Sequence, residues 1–192
     1  MKKWLIALAT LSVSACSSTV DTTYYQLPAG SSAAASTSTS STLTASSQPM
    51  LWVQQVTVPD HLAGNGVVYQ TSDVKYVIAS QNLWASPLDQ QLQQTLVTNL
   101  SRALPGRLVS ATPLSEQHDT LNVNVTGFQG RYDGKAVISG EWVLQHQGRL
   151  IKQPFNLILP QQEDGYDALV RTLAAGWQQQ AQQIAQTLTA LN

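Results

Sequence analysis

The chain has 192 residues, with 10 basic and 11 acidic side chains and a formal net charge of −1. Charged residues are only 11% of it, well below the roughly 25% of an average soluble domain, and Gln, Ser, Thr and Asn stand in their place. No basic surplus exists to neutralise a phosphate backbone, which excludes nucleic acid as a partner, and the length suits one domain of ordinary size.

The first residues read as an export signal. Lys2 and Lys3 give a short positive start, and Trp4 to Val13 is apolar apart from Thr10 and Ser12. That run is too short to span a bilayer, which takes roughly 20 residues. It ends in Val13-Ser14-Ala15-Cys16, which resembles the lipobox of bacterial lipoproteins. The resemblance implies a diacylglycerol on the Cys16 thiol, cleavage after Ala15 and acylation of the freed Cys16 amine. A cytosolic chain with an apolar N-terminal helix and a buried thiol is the plain alternative. The basic start, the apolar run, the lipobox and the Ser/Thr-rich stretch behind it agree against that alternative. Cys16 is also the only cysteine, so an exported chain has no internal disulfide to make, and lipidation removes a free thiol.

Loss of residues 1–15 removes Lys2 and Lys3 and leaves 8 basic against 11 acidic side chains, a net of −3. Each buried methylene contributes about 0.8 kcal/mol and two acyl chains anchor stably, so no further membrane segment is required. No later apolar stretch approaches the roughly 18 residues of a membrane helix. In enterobacterial lipoproteins an Asp after the cysteine favours the inner membrane. Ser17 stands there, which implies the outer membrane, facing the periplasm.

Thr22 to Leu27 is β-prone. Residues 28–49 are low complexity, uncharged, with Leu43 as the one large apolar side chain, and cannot offset their ordering entropy by burial. If Thr22 to Leu27 is a strand of the domain, residues 28–49 are an internal loop; otherwise the whole stretch to Pro49 is tether. Leu51 to Val58 alternates and predicts a strand ended by Pro59. Val67 to Thr71 and Val74 to Ala79 predict a hairpin joined at Ser72-Asp73. A helix follows, with Ser86 as N-cap and Pro87 at its first position. Leu88, Leu92, Leu96, Leu100 and Leu104 form one face, the usual pattern of a core helix. Pro105-Gly106 stops it, and Arg107 to Ala111 predicts a short strand.

Three longer strands follow. Leu121, Val123 and Val125 alternate with Asn122, Asn124 and Thr126, then Asp133-Gly134 signals a turn. Ala136 to Leu144 alternates, Gln147-Gly148 turns again, and Arg149 to Leu159 returns. The last helix runs from about Tyr166 to Leu191, with Asp164 as its cap. Its stripe of Leu169, Leu173, Trp177, Ile184, Leu188 and Leu191 is about 40 Å long, longer than a small sheet needs, so part of it is a candidate for contact with another subunit. The pattern predicts an α+β single domain: an antiparallel sheet with two helices packed on one face.

No catalytic set emerges. His61, His118 and His146 are isolated and lack metal-ligand spacing. No serine has a nucleophile-elbow context, and no glycine-rich loop resembles a phosphate site. Asp60, Asp73, Glu116, Asp119, Asp133, Glu141 and Glu163 are scattered, mostly near turns, and are expected as solvated charges. The sequence therefore points to no enzyme, no cofactor and no metal.

Short signatures remain: Tyr24-Tyr25-Gln26-Leu27 soon after the anchor, Val56-Thr57-Val58-Pro59 with Leu62, Val67-Val68-Tyr69-Gln70, and Asn82-Leu83-Trp84-Ala85 before the leucine-rich helix. In these the chain resembles the transport-auxiliary lipoproteins of bacterial lipid-transport systems, over nearly all of its mature length. It departs at Gln70, where the family often carries Arg, and at Ser86, where an acidic residue is common. The resemblance implies an outer-membrane lipoprotein that docks an MCE-domain periplasmic tunnel protein, itself paired with an inner-membrane partner. It also implies a ring-like homo-oligomer, and a first strand at Tyr24 to Leu27. The expected organisation is a signal peptide at 1–15, a lipidated tether at 16–23 and one domain at 24–192, with a Ser/Thr-rich loop at 28–49. Two other classes are open. A structural or assembly lipoprotein, supporting an outer-membrane barrel or binding peptidoglycan, would co-purify with a barrel. A periplasmic hydrolase would lose activity on substitution of His61, His118 or His146.

Overall fold

The computed structural model describes residues 21–29 and 48–191. Eight strands form one sheet: β1 (Thr23–Tyr25), β2 (Met50–Thr57), β3 (Gly66–Gln70), β4 (Tyr76–Trp84), β5 (Leu108–Ser110), β6 (Asp119–Arg131), β7 (Lys135–His146) and β8 (Arg149–Pro160). Three helices join them: α1 (Asp60–Ala63), α2 (Leu88–Ala103) and α3 (Tyr166–Ala190). The α+β single domain is as expected, but the sheet is mixed rather than antiparallel, and α1 is an additional one-turn helix. β6, β7 and β8 form the antiparallel meander, and β3 and β4 the antiparallel hairpin. β2 instead runs parallel to both β5 and β6, β3 runs parallel to β6, and β1 runs parallel to β4. Helix α2 carries the chain back across the sheet between β4 and β5, and a strand laid down after such a return points the same way as an earlier one.

β6 explains the topology. Its 13 residues pair with β7 along one whole edge. The other edge is shared: its first half takes β2, and Gly130 and Arg131 take β3. A bulge between Val125 and Gly127 shifts the register. Leu121, Val123 and Val125 are buried before it and Phe128 after it, so the inward face changes from odd to even positions. The freed Phe128 amide donates to Gln129 Oε1 at 2.6 Å. The two turns of the meander adopt the positive φ their residues favour, at Gly134 (73°), and at Gln147 (48°) with Gly148 (77°).

Both long helices cover one face. α2 lies over β2 and β5, and α3 over β6, β7 and β8. The full leucine stripe of α2 is buried. So are Leu169, Leu173, Trp177, Ile184 and Leu188 of α3, so its stripe is core, with only Leu191 half-buried. Gly176 lets α3 approach the sheet closely, since a Cβ there would lie 2.5 Å from Ile138 Cδ1 and 2.6 Å from Leu159 Cδ1. The expected caps differ by one position. Pro87, not Ser86, is the N-cap of α2, and Gly165 (φ 102°), not Asp164, precedes α3. Neither makes a side-chain cap bond.

Trp177 ties the layers together. Its ring lies 6.3 Å from both Phe128 and Phe155, and its Nε1 donates to Leu92 O of α2 at 3.0 Å. It is 1% exposed. Trp177→Ala is expected to cost about 3–5 kcal/mol through the cavity it leaves. A urea midpoint close to the parent's would contradict that assignment.

Candidate functional site

Two polar arrangements stand out among the described residues, and one lies where the N-terminal segment enters the sheet. Cys16 and Ala15, the expected lipid-attachment and cleavage positions, lie outside the described residues, as do residues 30–47 of the expected Ser/Thr-rich loop. The chain joins the sheet seven residues after Cys16, where Thr23, Tyr24 and Tyr25 pair with Asn82, Leu83 and Trp84. The Ala85 amide then donates to Tyr25 O at 2.8 Å.

Two side chains fasten this short strand to both helices. Gln91, 2% exposed on α2, accepts from the Leu27 amide at 2.8 Å through Oε1. Its Nε2 donates to Ser86 O at 2.9 Å and to Tyr25 O at 3.5 Å. Gln91 thus occupies the place of a backbone partner for a chain that has left the sheet. Leu27 itself is 3% exposed and belongs to the core. The Tyr25 hydroxyl donates to Asp167 Oδ1 of α3 at 3.0 Å and lies 3.3 Å from Asn82 Oδ1. Partial burial and then the Asp167 carboxylate raise the Tyr25 pKa above its ordinary value. The phenol therefore stays a donor. A segment of three strand residues is in this way held by β4, α2 and α3 at once.

The opposite end of the sheet carries a polar cluster. Asp119, which opens β6, takes Arg107 Nη1 and His146 Nδ1 on the same Oδ2, the histidine at 2.9 Å. All three residues are buried. The expectation of a solvated charge therefore fails at Asp119. β6 begins inside the fold, where β5 and the end of β7 close over it, and two cationic or donor side chains compensate its carboxylate. These residues, with Gln48, Glu116 and His118, line an open cavity of about 680 Å³. His118 leans edge-on to Trp52 at 5.3 Å and donates from Nδ1 to Ser115 O at 2.7 Å. His61 lies far from both, against Tyr76 at 5.3 Å.

His118 and His146 thus line one cavity without bonding to each other, and His61 stands apart. Among the described residues His146 bonds only to Asp119 and reaches no hydroxyl, and no group of three potential ligands could hold a metal ion. Of the other carboxylates, Glu141 pairs with Lys152 at 2.8 Å on the uncovered sheet face, and Asp133 pairs with Arg131 and Lys135. The Arg131 guanidinium, and then Lys135, hold the Asp133 carboxyl well below the usual carboxylate range. No helix of the described residues is long and apolar enough to cross a membrane.

Sequence reasoning missed Gln91 and Asp119. Gln91 stands beside the leucine stripe as one of several glutamines, and nothing local distinguishes it. Asp119 had a faint signal in lying directly before an alternating run.

Removing each should separate the two ends. Gln91→Ala leaves a buried amide at Leu27 without its acceptor and should cost about 1–3 kcal/mol. Limited proteolysis should then cut near residues 21–29 before the domain unfolds, and an unchanged cleavage pattern would refute the fastening. Asp119→Ala removes the shared carboxylate of Arg107 and His146, with an expected loss of about 3 kcal/mol in chemical denaturation and no change in that N-terminal cleavage.

Known proteins share both the sequence and this architecture. The family model for the ABC-type transport auxiliary lipoprotein component matches residues 25–185. Proteins named intermembrane transport lipoprotein PqiC, from Escherichia coli (strain K12) and Shigella flexneri, are each 58% identical over 192 residues, covering 100% of both chains. A crystal structure of an uncharacterized protein is similar at 57% identity with a TM-score of 0.77, covering 88% of this chain and 99% of that one. A Xanthomonas campestris protein shares the fold alone, at 15% identity and a TM-score of 0.57, over 76% of this chain and 89% of its own. The match runs from the last residue of β1 through nearly all of α3 and the relatives align end to end, so this chain belongs to the ABC-type transport auxiliary lipoprotein family.

Proposed function

We propose that the chain is a PqiC-like lipoprotein of an intermembrane lipid transport system, held on the periplasmic face of the outer membrane by lipid on Cys16. The signal peptide is removed after Ala15, residues 16–23 are the tether, and residues 24–192 are the docking domain. Its partner is an MCE-domain periplasmic tunnel protein of the PqiB type, which in turn meets an inner-membrane component. The lipoprotein works as a homo-oligomer at the outer-membrane end of that tunnel and supports envelope integrity. No covalent chemistry is needed.

The observation that carries this reading is the full-length 58% identity to lipoproteins named for intermembrane transport. The seat of β1 supports it physically. If the lipid sits on Cys16, only six residues separate it from Thr23, a span of at most about 25 Å. So short a connection keeps the domain at the membrane and raises its local concentration for a partner arriving there. The far end of β6, with the Asp119 cavity, then points away from the bilayer. β6 is about 40 Å long at the usual strand rise.

Cys16→Ala behind a cleavable secretion signal tests the reading. The variant should leave the outer-membrane fraction for the soluble periplasm, and its crosslinking to the MCE protein should fall several-fold. Unchanged fractionation and crosslinking would overturn the anchoring role.

A further inference from the structure

Among the described residues, the most exposed large apolar side chain stands at the tip of the β3–β4 hairpin. Val74 is 77% exposed, and Tyr76, Val77 and Ile78 are about half exposed. Val77 opposes Tyr69 and Ile78 opposes Val68, so the two side chains leave opposite faces of the hairpin. A docking surface for a flat partner would be apolar on one face only. This tip is apolar on both. It is also ordered: the Thr71 amide donates to Lys75 O at 2.8 Å, and Val74 N to Ser72 Oγ at 3.4 Å.

The topology fixes which end of the molecule this is. β1 runs parallel to β4 with Thr23 opposite Asn82, so the chain preceding Thr23 comes from the side on which β4 begins. Cys16 is seven residues before Thr23, and Lys75 is seven residues before Asn82. At full extension a tether of that length reaches level with the hairpin tip and no farther. The β6–β7 turn stands at the same end, because Gln70 of β3 pairs with Arg131 of β6. That turn carries Tyr132, 56% exposed, between Arg131 and Lys135, which share Asp133. Half-exposed tyrosines with long cationic side chains beside an apolar tip are the composition of a bilayer interface.

We infer that the β3–β4 tip, flanked by the Tyr132 turn, enters the interface of the bilayer that holds the Cys16 lipid, giving the domain a second, protein-made membrane contact. This rests on the anchoring reading above. Asp73 and Lys75 in the turn keep the insertion shallow, at headgroup depth. The second contact fixes the tilt of the domain, which a lipid on a short tether leaves free.

Val74→Cys adds the one unmodified thiol to the lipidated mature protein, and Glu116→Cys does the same at the opposite end. Each is labelled with an environment-sensitive fluorophore and reconstituted in vesicles of phosphatidylethanolamine and phosphatidylglycerol carrying nitroxide lipids. The Val74 label should shift to the blue and be quenched several-fold more than the Glu116 label. A protein that floats with the vesicles while its Val74 label stays in water overturns the hairpin contact and leaves the anchor standing. Shielding of the label without quenching by lipid means that the tip packs on a second copy or a protein partner, and overturns it as well. A lipidated protein that fails to float overturns both.

Discussion

A strand has two edges, and β6 uses one of them twice. Its length lets β2 occupy the first half and β3 reach the second, while β7 fills the whole opposite edge. Every other element takes its position from that division. β5 extends the β2 side, β4 and β1 extend the β3 side, and β8 closes the meander. The bulge at Val125–Gly127 turns the strand where its partner changes, and it brings Phe128 inward beneath Trp177. The amide exposed by this shift is satisfied by the neighbouring Gln129 side chain, so the change of face leaves no buried donor unpaired there.

The division also separates two kinds of interior. Under the helices the core is aromatic and aliphatic, with Trp177 joining α3 to the sheet and to α2. At the start of β6 the interior is ionic, because Asp119 sits where β5, β6 and the end of β7 converge. An ion pair in such a place contributes little beyond hydrophobic packing of the same volume. Its effect is to fix a particular arrangement at the mouth of a cavity, on the end of the sheet opposite the one from which the chain enters β1.

The first strand is where the N-terminal segment enters the fold. Three residues of β1 bring little area of their own, so other elements hold them: Gln91 from α2, Asp167 from α3 and the Ala85 amide beyond β4. A lipid on Cys16 would then act on a rigid point rather than on a loose tail. A short connection from such a lipid to a rigid point would leave the domain few orientations.

Much of this was legible in the sequence, and the reason is locality. The alternation of Leu121 to Val125 and of Ala136 to Leu144, the Asp133-Gly134 and Gln147-Gly148 turns, and the leucine faces of α2 and α3 depend only on the period of the backbone and on nearby residues. They gave the long elements, the meander and the core face of α2, while the burial of the α3 stripe and the short α1 came from the structure. The short signatures from Tyr24 to Ala85 are likewise local, and they pointed to the family. Direction of pairing is not local. A strand of alternating residues packs equally well parallel or antiparallel, and only the return of the chain through α2 and the split edge of β6 made the sheet mixed. The same holds for single side chains. Asp119 looked like a solvated turn residue and Gln91 like one glutamine among many, until β5 and β7 closed over the first and Leu27 was laid against the second.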